Sequence, residues 1–407
     1  MKKKMIRISQ KERAYVKEVL DGQFRTSSGG IMTKRLEEKF AALFGVKYAI
    51  SHINGTATMH AALYAAGIGP GDEVIVPPLT MSSTAFVALH ANAVPIFADI
   101  DPETFTIDPK DIERRVTPHT RAIIPVALYG LSPDMDAIMD IARRHNLTVI
   151  EDDAQCFLGY YKGRIVGSIG HMASFSFQSS KHMTSGEGGM VTTNDKDLAD
   201  KVRSFSGLGY AMLKAEPGKG RIVKDIIQDP AYERHALVGF NYRMPELCAA
   251  VALAQVERLP ELVDMRIKIA HLYAQAAQGC RWLVPQAVPE SYVHSYWTYV
   301  LKLDNNDAFS WYDFRKKYME LGGDGIYAAW QLTYLEPAFR QQRFYPRGCP
   351  VHCPHYQGAG QQYEPGLCPV AESVQPRLLQ FKTSYVDMDI AEQKAEALAQ
   401  TIKYFGK

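Results

Sequence analysis

Lys181 lies in a segment whose residue types suit covalent chemistry, SFSFQSSKHMTSGEGGMVTTND from Ser174 to Asp195. A predicted strand, Ala173 to Phe177, leads into small polar residues, and a glycine-rich return leads into a second predicted strand, Met190 to Thr193. A lysine amine bonds to a carbonyl compound only when it is deprotonated, and a partly desolvated site lowers its pKa. A solvated turn lysine is the ordinary alternative, but this setting favours a reactive one.

Two further groups suit a phosphate. Ser176 is expected to face the same cavity as Lys181, and its hydroxyl can donate to an anion. Asn54-Gly55-Thr56-Ala57 lies between a predicted strand and an apolar helix, and a helix N-terminus offers free N–H groups and partial positive charge. An ordinary helix start, with Thr56 as cap and Gly55 in the turn, is the alternative.

Two polar positions complete the constellation. Asp152 ends the predicted strand in VIEDDAQ, where a carboxylate can pair with a ring nitrogen and keep it protonated. A helix cap is its plainer interpretation. Asn241 and Arg243 precede a helix in GFNYRMPELCAA, with Pro245 near the helix start, and both side chains are long enough to reach a phosphate.

The elements that must position these residues alternate between strand and helix patterns through about the first 250 residues. Such alternation predicts right-handed crossovers and a mostly parallel sheet, with a ligand beyond the carboxyl ends of the strands. The predicted strands are Tyr48–Ile50, Asp72–Pro78, Val94–Ile100, Ala122–Leu128 and Leu147–Asp152; the helices between them begin at Ala57, Thr84 and Asp134.

The pattern changes after Pro245. A long helical stretch follows, and Pro260 is expected to kink or break it. Beyond it we predict a strand at Ser295–Leu303, a helix at Ala308–Leu321 and a last helix from Asp389. The chain therefore divides into a large α/β domain, residues 1–250 with an N-terminal helical segment, and a smaller α+β domain, residues 251–407.

Composition excludes several classes of protein. A chain of 407 residues is too long for a single compact core. A formal net charge of +2 without a long basic tract argues against nucleic acid as a partner. The basic N-terminus lacks the apolar run of a signal peptide, and no segment predicts a transmembrane helix. Six cysteines are too few for a disulfide scaffold, so we expect a cytoplasmic protein without membrane attachment.

A cluster of cysteine and histidine near the C-terminus raises the question of zinc. Its members fall within twenty residues: Cys349, His352, Cys353, His355 and Cys368. Structural zinc sites favour gaps of two residues, whereas the gap here is Cys-x3-Cys with a proline after each cysteine. We therefore expect loop packing or substrate contact, and no metal.

Taken in chain order, these segments resemble the DegT/DnrJ/EryC1/StrS family of sugar aminotransferases, which depend on pyridoxal 5'-phosphate (PLP). The similarity runs from about Thr26 to the final helix and is strongest between Val46 and Leu259. Its segments are NGTATMHAAL, GDEVIVPPLT, VPIFADIDPETFTIDP, AIIPVALYG, VIEDDAQ, SFSFQSSKHMTSGEGGMV and GFNYRMPELCAA. The resemblance implies PLP fold type I, an α/β fold whose large domain holds a mostly parallel, seven-stranded sheet.

The resemblance also implies a role for each matching position. Lys181 would form the Schiff base and move the substrate proton, Asp152 would hold the pyridine nitrogen, and Gln155 would lie near the ring hydroxyl. Asn241, with Arg243 as helper, would reach the neighbouring subunit's site in a homodimer. The remaining cofactor contacts would be Gly55, Thr56, Ala57, Met81 and Ser176. Met81 stands where many relatives have an aromatic residue that stacks on the cofactor.

The reaction implied is transfer of an amino group from glutamate or glutamine to a keto sugar, through the pyridoxamine 5'-phosphate form. The product would be an amino sugar for cell-surface polysaccharide or a natural product. Related dehydratases carry histidine at the lysine position, so Lys181 argues against dehydration. A keto sugar acid without a nucleotide and a cyclitol ketone remain alternative acceptors, and a binding or regulatory protein without catalysis remains an alternative class. Lys34, Arg35 and Arg164 are either ligands for a substrate anion or surface charges.

Overall fold

The computed structural model describes residues 6–24, 31–215, 224–304, 308–345 and 348–406. Strands within these ranges are, in chain order, β1 (Tyr48–His52), β2 (Glu73–Val76), β3 (Val94–Phe97), β4 (Thr120–Ile123), β5 (Thr148–Asp152), β6 (Tyr160–Tyr161), β7 (Arg164–Ile165), β8 (Met172–Ser176), β9 (Gly189–Thr193), β10 (Leu283–Pro285), β11 (Tyr292–Val293), β12 (Thr298–Leu303), β13 (Tyr327–Ala328) and β14 (Leu378–Lys382).

Helices alternate with the strands of the first half and surround those of the second. In the same ranges they are α1 (Gln10–Asp21), α2 (Ile31–Phe44), α3 (Gly55–Ala65), α4 (Ser83–His90), α5 (Pro109–Arg115), α6 (Met135–His145), α7 (Lys196–Ser206), α8 (Lys224–Gln228), α9 (Glu246–Glu257), α10 (Leu259–Ala277), α11 (Trp311–Glu320), α12 (Pro337–Arg340), α13 (Pro369–Val374) and α14 (Met388–Phe405). The residue range around Thr26, where the similarity was expected to begin, lies outside the described residues.

A seven-stranded sheet in the order β1-β9-β8-β5-β4-β2-β3 forms the centre of the large domain. Strands β3, β2, β4, β5 and β8 pair in parallel, whereas β9 runs antiparallel to β8 and to β1. The mostly parallel sheet is therefore confirmed. Strands β2, β3, β8 and β9 are buried along their whole length, as expected for a sheet covered by helices on both faces.

Three chain segments meet at the carboxyl ends of the parallel strands. Strand β5 ends at Asp152 and β8 at Ser176, while α3 begins beside them at Gly55. Gly55 lies so close to β8 that a Cβ atom added to it would be 2.8 Å from the Cβ of Ser176. The absence of a side chain at Gly55 therefore lets the helix N-terminus approach the end of β8.

The second half of the chain builds a smaller sheet in the order β10-β12-β14-β13. Its core is aromatic and aliphatic, with Tyr273 of α10, Phe314 of α11 and Phe381 of β14 fully or almost fully buried. The expected break near Pro260 is confirmed, because α9 ends at Glu257 and α10 begins at Leu259. Position 250, where we divided the chain, falls inside α9.

The segment that contains the cysteines covers the edge of the large sheet. Gln361 lies against the outer strand β3: its Oε1 accepts from Phe97 N at 2.6 Å, and its Nε2 donates to Phe97 O at 2.9 Å. The Tyr363 hydroxyl donates to the Pro95 carbonyl at 3.0 Å. Side chains of this segment therefore form hydrogen bonds with backbone groups at the edge of the sheet. In the described part of the chain, no group of three or more His, Cys, Asp or Glu is placed to hold a metal ion.

Candidate active site

A cavity of about 340 Å³ opens where β5, β8 and α3 meet. Seven of the ten residues that the sequence singled out line it: Gly55, Thr56, Met81, Asp152, Gln155, Ser176 and Lys181. Three do not, namely Ala57, Asn241 and Arg243.

The N-terminus of α3 has two backbone donors to offer. Asn54 caps the helix, since its Oδ1 accepts from Ala57 N at 2.8 Å and its carbonyl accepts from Thr58 N at 3.3 Å. The capping residue is therefore Asn54 and not Thr56. The N–H group of Ala57 is occupied by this cap, whereas those of Gly55 and Thr56 have no acceptor among the described residues. The expectation that Thr56, Ala57 and Ser176 bind a phosphate stays a prediction; in this structure the N–H groups of Gly55 and Thr56 are the ones free to donate.

Asp152 is buried at the end of β5. Its Oδ2 accepts from the Thr84 hydroxyl at 2.8 Å, and its Oδ1 accepts from Ala154 N at 3.3 Å. Burial raises the pKa of Asp152, and the Thr84 hydrogen bond and Lys181 act against the rise. The carboxylate is thus placed in a low-dielectric site where a cationic partner would stabilise its charged form.

Lys181 is buried opposite, in the turn after β8. Burial lowers the pKa of its amine from 10.5 to about 8, and the charge of Asp152 opposes that change. The Nζ atom lies 4.6 Å from the ring centroid of Trp297. An amine with this pKa is about one tenth deprotonated at pH 7, a far larger neutral fraction than an ordinary lysine has, and the neutral form is the one that acts as a nucleophile or a general base.

Gln155 and Met81 have unequal surroundings. Gln155 is buried and its Oε1 accepts from Tyr129 N at 2.8 Å, which leaves its amide donors at the cavity. Met81 is 47% exposed and borders the opening. A thioether can pack on an aromatic face, so Met81 remains a candidate for contact with a ring.

Asn241 and Arg243 are exposed and lie outside this chain's cavity. Asn241 pairs with Gly207 in an isolated antiparallel bridge. The expectation that both residues act in a neighbouring subunit's site stays a prediction.

The three basic residues that we weighed as anion ligands have other partners. Lys34 pairs with Glu38 at 3.7 Å, Arg35 with Glu18 at 3.1 Å, and Arg164 pairs with Asp136. None lines the cavity. The alternative interpretation, surface charges, fits these contacts.

Sequence reasoning missed the aromatic wall of the cavity. Trp297 and Trp330 come from the small domain, Trp297 directly before β12 and Trp330 shortly after β13. Their rings are 6.4 Å apart between centroids. No local pattern marks either tryptophan, because each meets the cavity only through packing between the domains.

Solved structures define the class of protein. The aminotransferase from Psychrobacter cryohalolentis is 29% identical to this chain, covers 100% of both chains and superposes with a TM-score of 0.84. The fold is that of the fold type I aminotransferases that depend on PLP.

Sequence comparisons define the family. The model of the DegT/DnrJ/EryC1/StrS aminotransferase family matches residues 7–393, and the chain belongs to that family. A GDP-perosamine synthase of Caulobacter vibrioides is 43% identical over 73% of this chain and 76% of its own length. The spore coat polysaccharide biosynthesis protein SpsC of Bacillus subtilis is 41% identical over 69% and 70%. Membership of this family identifies the chain as an aminotransferase.

Proposed function

We propose that this enzyme transfers an amino group from glutamate or glutamine to the ketone of a sugar, with PLP bound through Lys181. The observation that carries the proposal is the placement of Lys181 and Asp152 in one cavity beside the N-terminus of α3. Relatives named for perosamine and for coat polysaccharide synthesis support a sugar acceptor and an amino sugar product. A keto sugar acid without a nucleotide and a cyclitol ketone are the alternative acceptors.

The residues of the cavity fit PLP group by group. The N–H groups of Gly55 and Thr56 and the Ser176 hydroxyl suit a phosphate, because a helix N-terminus and a hydroxyl both donate to anions. Asp152 is buried and forms no ion pair within 4.0 Å among the described residues, so its carboxylate suits a protonated pyridine nitrogen. When bound, the cofactor supplies an electron sink for the substrate carbon.

The chain itself supplies orientation and proton transfer. Lys181 would hold the cofactor through its amine, and the same amine would move a proton at the substrate carbon. Asp152 would hold the pyridine ring by a charged hydrogen bond, and Gln155 would present amide donors toward the ring substituents. Trp297 and Trp330 line the same cavity and would border the space where a sugar ring would lie.

The proposal extends to assembly and location. We expect a cytoplasmic homodimer in which Asn241, with Arg243, completes the partner's site, and we expect neither nucleic acid nor metal as a ligand. A two-fold assembly is the commonest for soluble oligomers. Six reduced cysteines are consistent with a reducing compartment. The described helices include none that is both long and apolar enough to cross a membrane.

An absorbance experiment tests the proposal. Purified protein incubated with PLP should turn yellow, and glutamate should bleach the band while 2-oxoglutarate forms in equal amount. Lys181→Ala should show no such band, whereas Lys34→Ala, which removes an exposed lysine paired with Glu38, should behave as wild type. A panel of keto sugars, with and without a nucleotide, then identifies the acceptor. Failure of the protein to bind PLP, or of both glutamate and glutamine to bleach the band, would reject the proposal.

A further inference from the structure

Two guanidinium groups hold the carbonyl groups of the lysine turn. Arg7 Nη2 donates to Ser179 O at 2.6 Å and to Lys181 O at 3.1 Å. Arg266 Nη2 donates to Ser180 O at 3.0 Å and to Lys181 O at 2.8 Å. The carbonyl of the reactive lysine therefore accepts from both arginines, one from the N-terminal segment and one from α10. We call these two side chains the arginine clamp.

Arg266 is an unusual cation. It is 3% exposed, and its Nη1 donates to Trp297 O at 2.7 Å and to the Thr383 hydroxyl at 3.3 Å. Among the described residues, no carboxylate lies within 4.0 Å of its guanidinium. Burial lowers the pKa of Arg266 to about 9, which still leaves it charged at neutral pH. A buried charge without a counter-ion lowers the free energy of unfolding. Arg266 is therefore present despite a cost in stability.

Arg7 is tied to the end of α9 by its backbone. The Arg7 carbonyl accepts from Gln255 Nε2 at 2.8 Å and from Arg258 Nη1 at 3.4 Å, both in or next to α9. Gln255 Oε1 also accepts from Thr184 N at 3.3 Å, just after the lysine turn. The N-terminal segment is thus joined to the active-site turn directly, through the Arg7 side chain, and indirectly, through Gln255.

The charges that surround the Lys181 amine do not all favour one protonation state. Burial lowers its pKa most; Asp152 raises it, Arg266 lowers it and Glu187 raises it. The Trp297 ring face also favours the protonated amine. The adjacent His182 is buried with its pKa well below the usual value, so it brings no charge. Arg266 is therefore the one cation among these groups that opposes protonation, and Arg7 only holds the backbone.

We propose that Arg266 is a positioning residue for the reaction: it fixes the Lys181 backbone and keeps a permanent positive charge near the amine, so that the amine presents a free lone pair. The inference rests on the proposed function only in that Lys181 is the reactive lysine. Arg7 shares the mechanical part of this role but not the electrostatic part. The two arginines thus differ in a way that an experiment can separate.

Competitive acylation of the protein without cofactor tests the inference. Lys181 and the exposed Lys34 are labelled over a pH series, and peptide mass spectrometry gives the pH midpoint of reactivity for each. In the wild type we expect a Lys181 midpoint well below the ordinary lysine value of 10.5. Arg266→Gln, neutral but still a donor, should move the Lys181 midpoint upward by about one pH unit, the size of effect that a nearby charge produces. Lys34 should not change in any variant.

Two further variants separate charge from geometry. Arg266→Lys keeps the charge and loses the planar fork, so the midpoint should stay near the wild-type value while PLP binds more slowly. Arg7→Met should slow PLP binding without moving the midpoint. A Lys181 midpoint that is ordinary in the wild type overturns the inference, even if every Arg266 variant fails to fold. An Arg266→Gln variant that melts earlier but has an unchanged midpoint also overturns it.

The labelling needs neither cofactor nor substrate. A failure of transamination in the absorbance experiment therefore rejects the proposed function and leaves the midpoints to be judged separately. Conversely, unchanged midpoints in an active enzyme reject the role of Arg266 alone.

Discussion

Asp152 and Lys181 share one cavity but have opposite requirements for charge. Burial favours the neutral form of both, which raises the pKa of the carboxyl and lowers that of the amine. A neutral amine is the form that reacts, whereas the carboxyl acts as a charged partner and depends on a cation that a bound pyridine ring would supply. The same physical cause thus prepares one residue for reaction and the other for binding.

Asp152→Asn isolates the charge of the carboxylate. The amide can still accept from Thr84 but cannot stabilise a protonated ring nitrogen, so we expect kcat to fall by roughly 10²-fold or more, as when one preorganised electrostatic contact is lost. PLP should also dissociate faster on dialysis. Steady-state kinetics and the absorbance that remains after dialysis measure the two effects.

Asp153→Asn is the matched control. Asp153 is equally buried, but it does not line the cavity, and its Oδ2 has no hydrogen-bond partner among the described residues. Burial, with Glu151 and Asp152 nearby, raises its pKa well above the usual value, so its surroundings disfavour a charge at this position and should accept an amide of the same shape. We expect near-wild-type kcat. Equal losses in both variants would mean that the carboxylate charge of Asp152 has no special role.

At the scale of elements, the site depends on the distance between α3 and β8. Because Gly55 lacks a Cβ, its backbone can lie against Ser176, and the start of α3 and the Ser176 side chain line the same cavity, where the proposed phosphate would bind. The cap at Asn54 sets where the helix begins and therefore which N–H groups remain free. A small shift of the helix would separate these donors.

Gly55→Ala tests this packing. The added methyl would stand 2.8 Å from the Ser176 Cβ, so either the helix or the strand must move. We expect a loss of about 1–3 kcal/mol in unfolding free energy, typical of an overpacked contact, together with weaker binding of PLP. Gly69→Ala is the control, since nothing lies within 4 Å of a Cβ at Gly69. Denaturant titration and PLP titration give both numbers, and tight PLP binding by Gly55→Ala would contradict the proposed phosphate site.

Strands and helices could be predicted from the sequence where a few neighbouring residues determine where they begin and end. Apolar runs and helix starts gave β5 and α6 within a residue or two, because burial and capping act over a few neighbours. The antiparallel direction of β9 was not predictable, since a strand's apolar pattern is the same in either direction. The ends of β4 and β12 were also misjudged: apolar residues continue past Ile123 into a turn, and Trp297 precedes its strand.

At the scale of the whole molecule, the reactive lysine depends on distant segments. Its turn is held from α10 and from the N-terminal segment, and its amine lies against a tryptophan of the small domain. Sequence patterns located Lys181, Asp152 and the start of α3 because each stands at a strand or helix end. They missed Arg266 and Trp297, since a buried arginine in a helix and an aromatic residue before a strand look like ordinary packing until the domains are brought together.

The proposed dimer gives the last prediction, which concerns Asn241. If Asn241 serves the partner's site, each site needs Lys181 from one subunit and Asn241 from the other. Lys181→Ala and Asn241→Ala homodimers should then both be inactive or nearly so. In a mixed dimer, one site carries both substitutions and the other carries neither, so subunit exchange at equal amounts should restore about one quarter of wild-type activity.

The mixture also distinguishes the alternatives. Asn241 is exposed and lies outside the cavity of its own chain, which is why a role in the same subunit is disfavoured. If it nevertheless acted there, every site in the mixture would lack one residue and activity would stay at the level of the parent variants. Tyr312 is exposed on α11 and does not line the cavity. In the control mixture, Tyr312→Ala takes the place of Asn241→Ala. Mixed with Lys181→Ala it should give the simple average of its parents, because it removes nothing that a partner must supply.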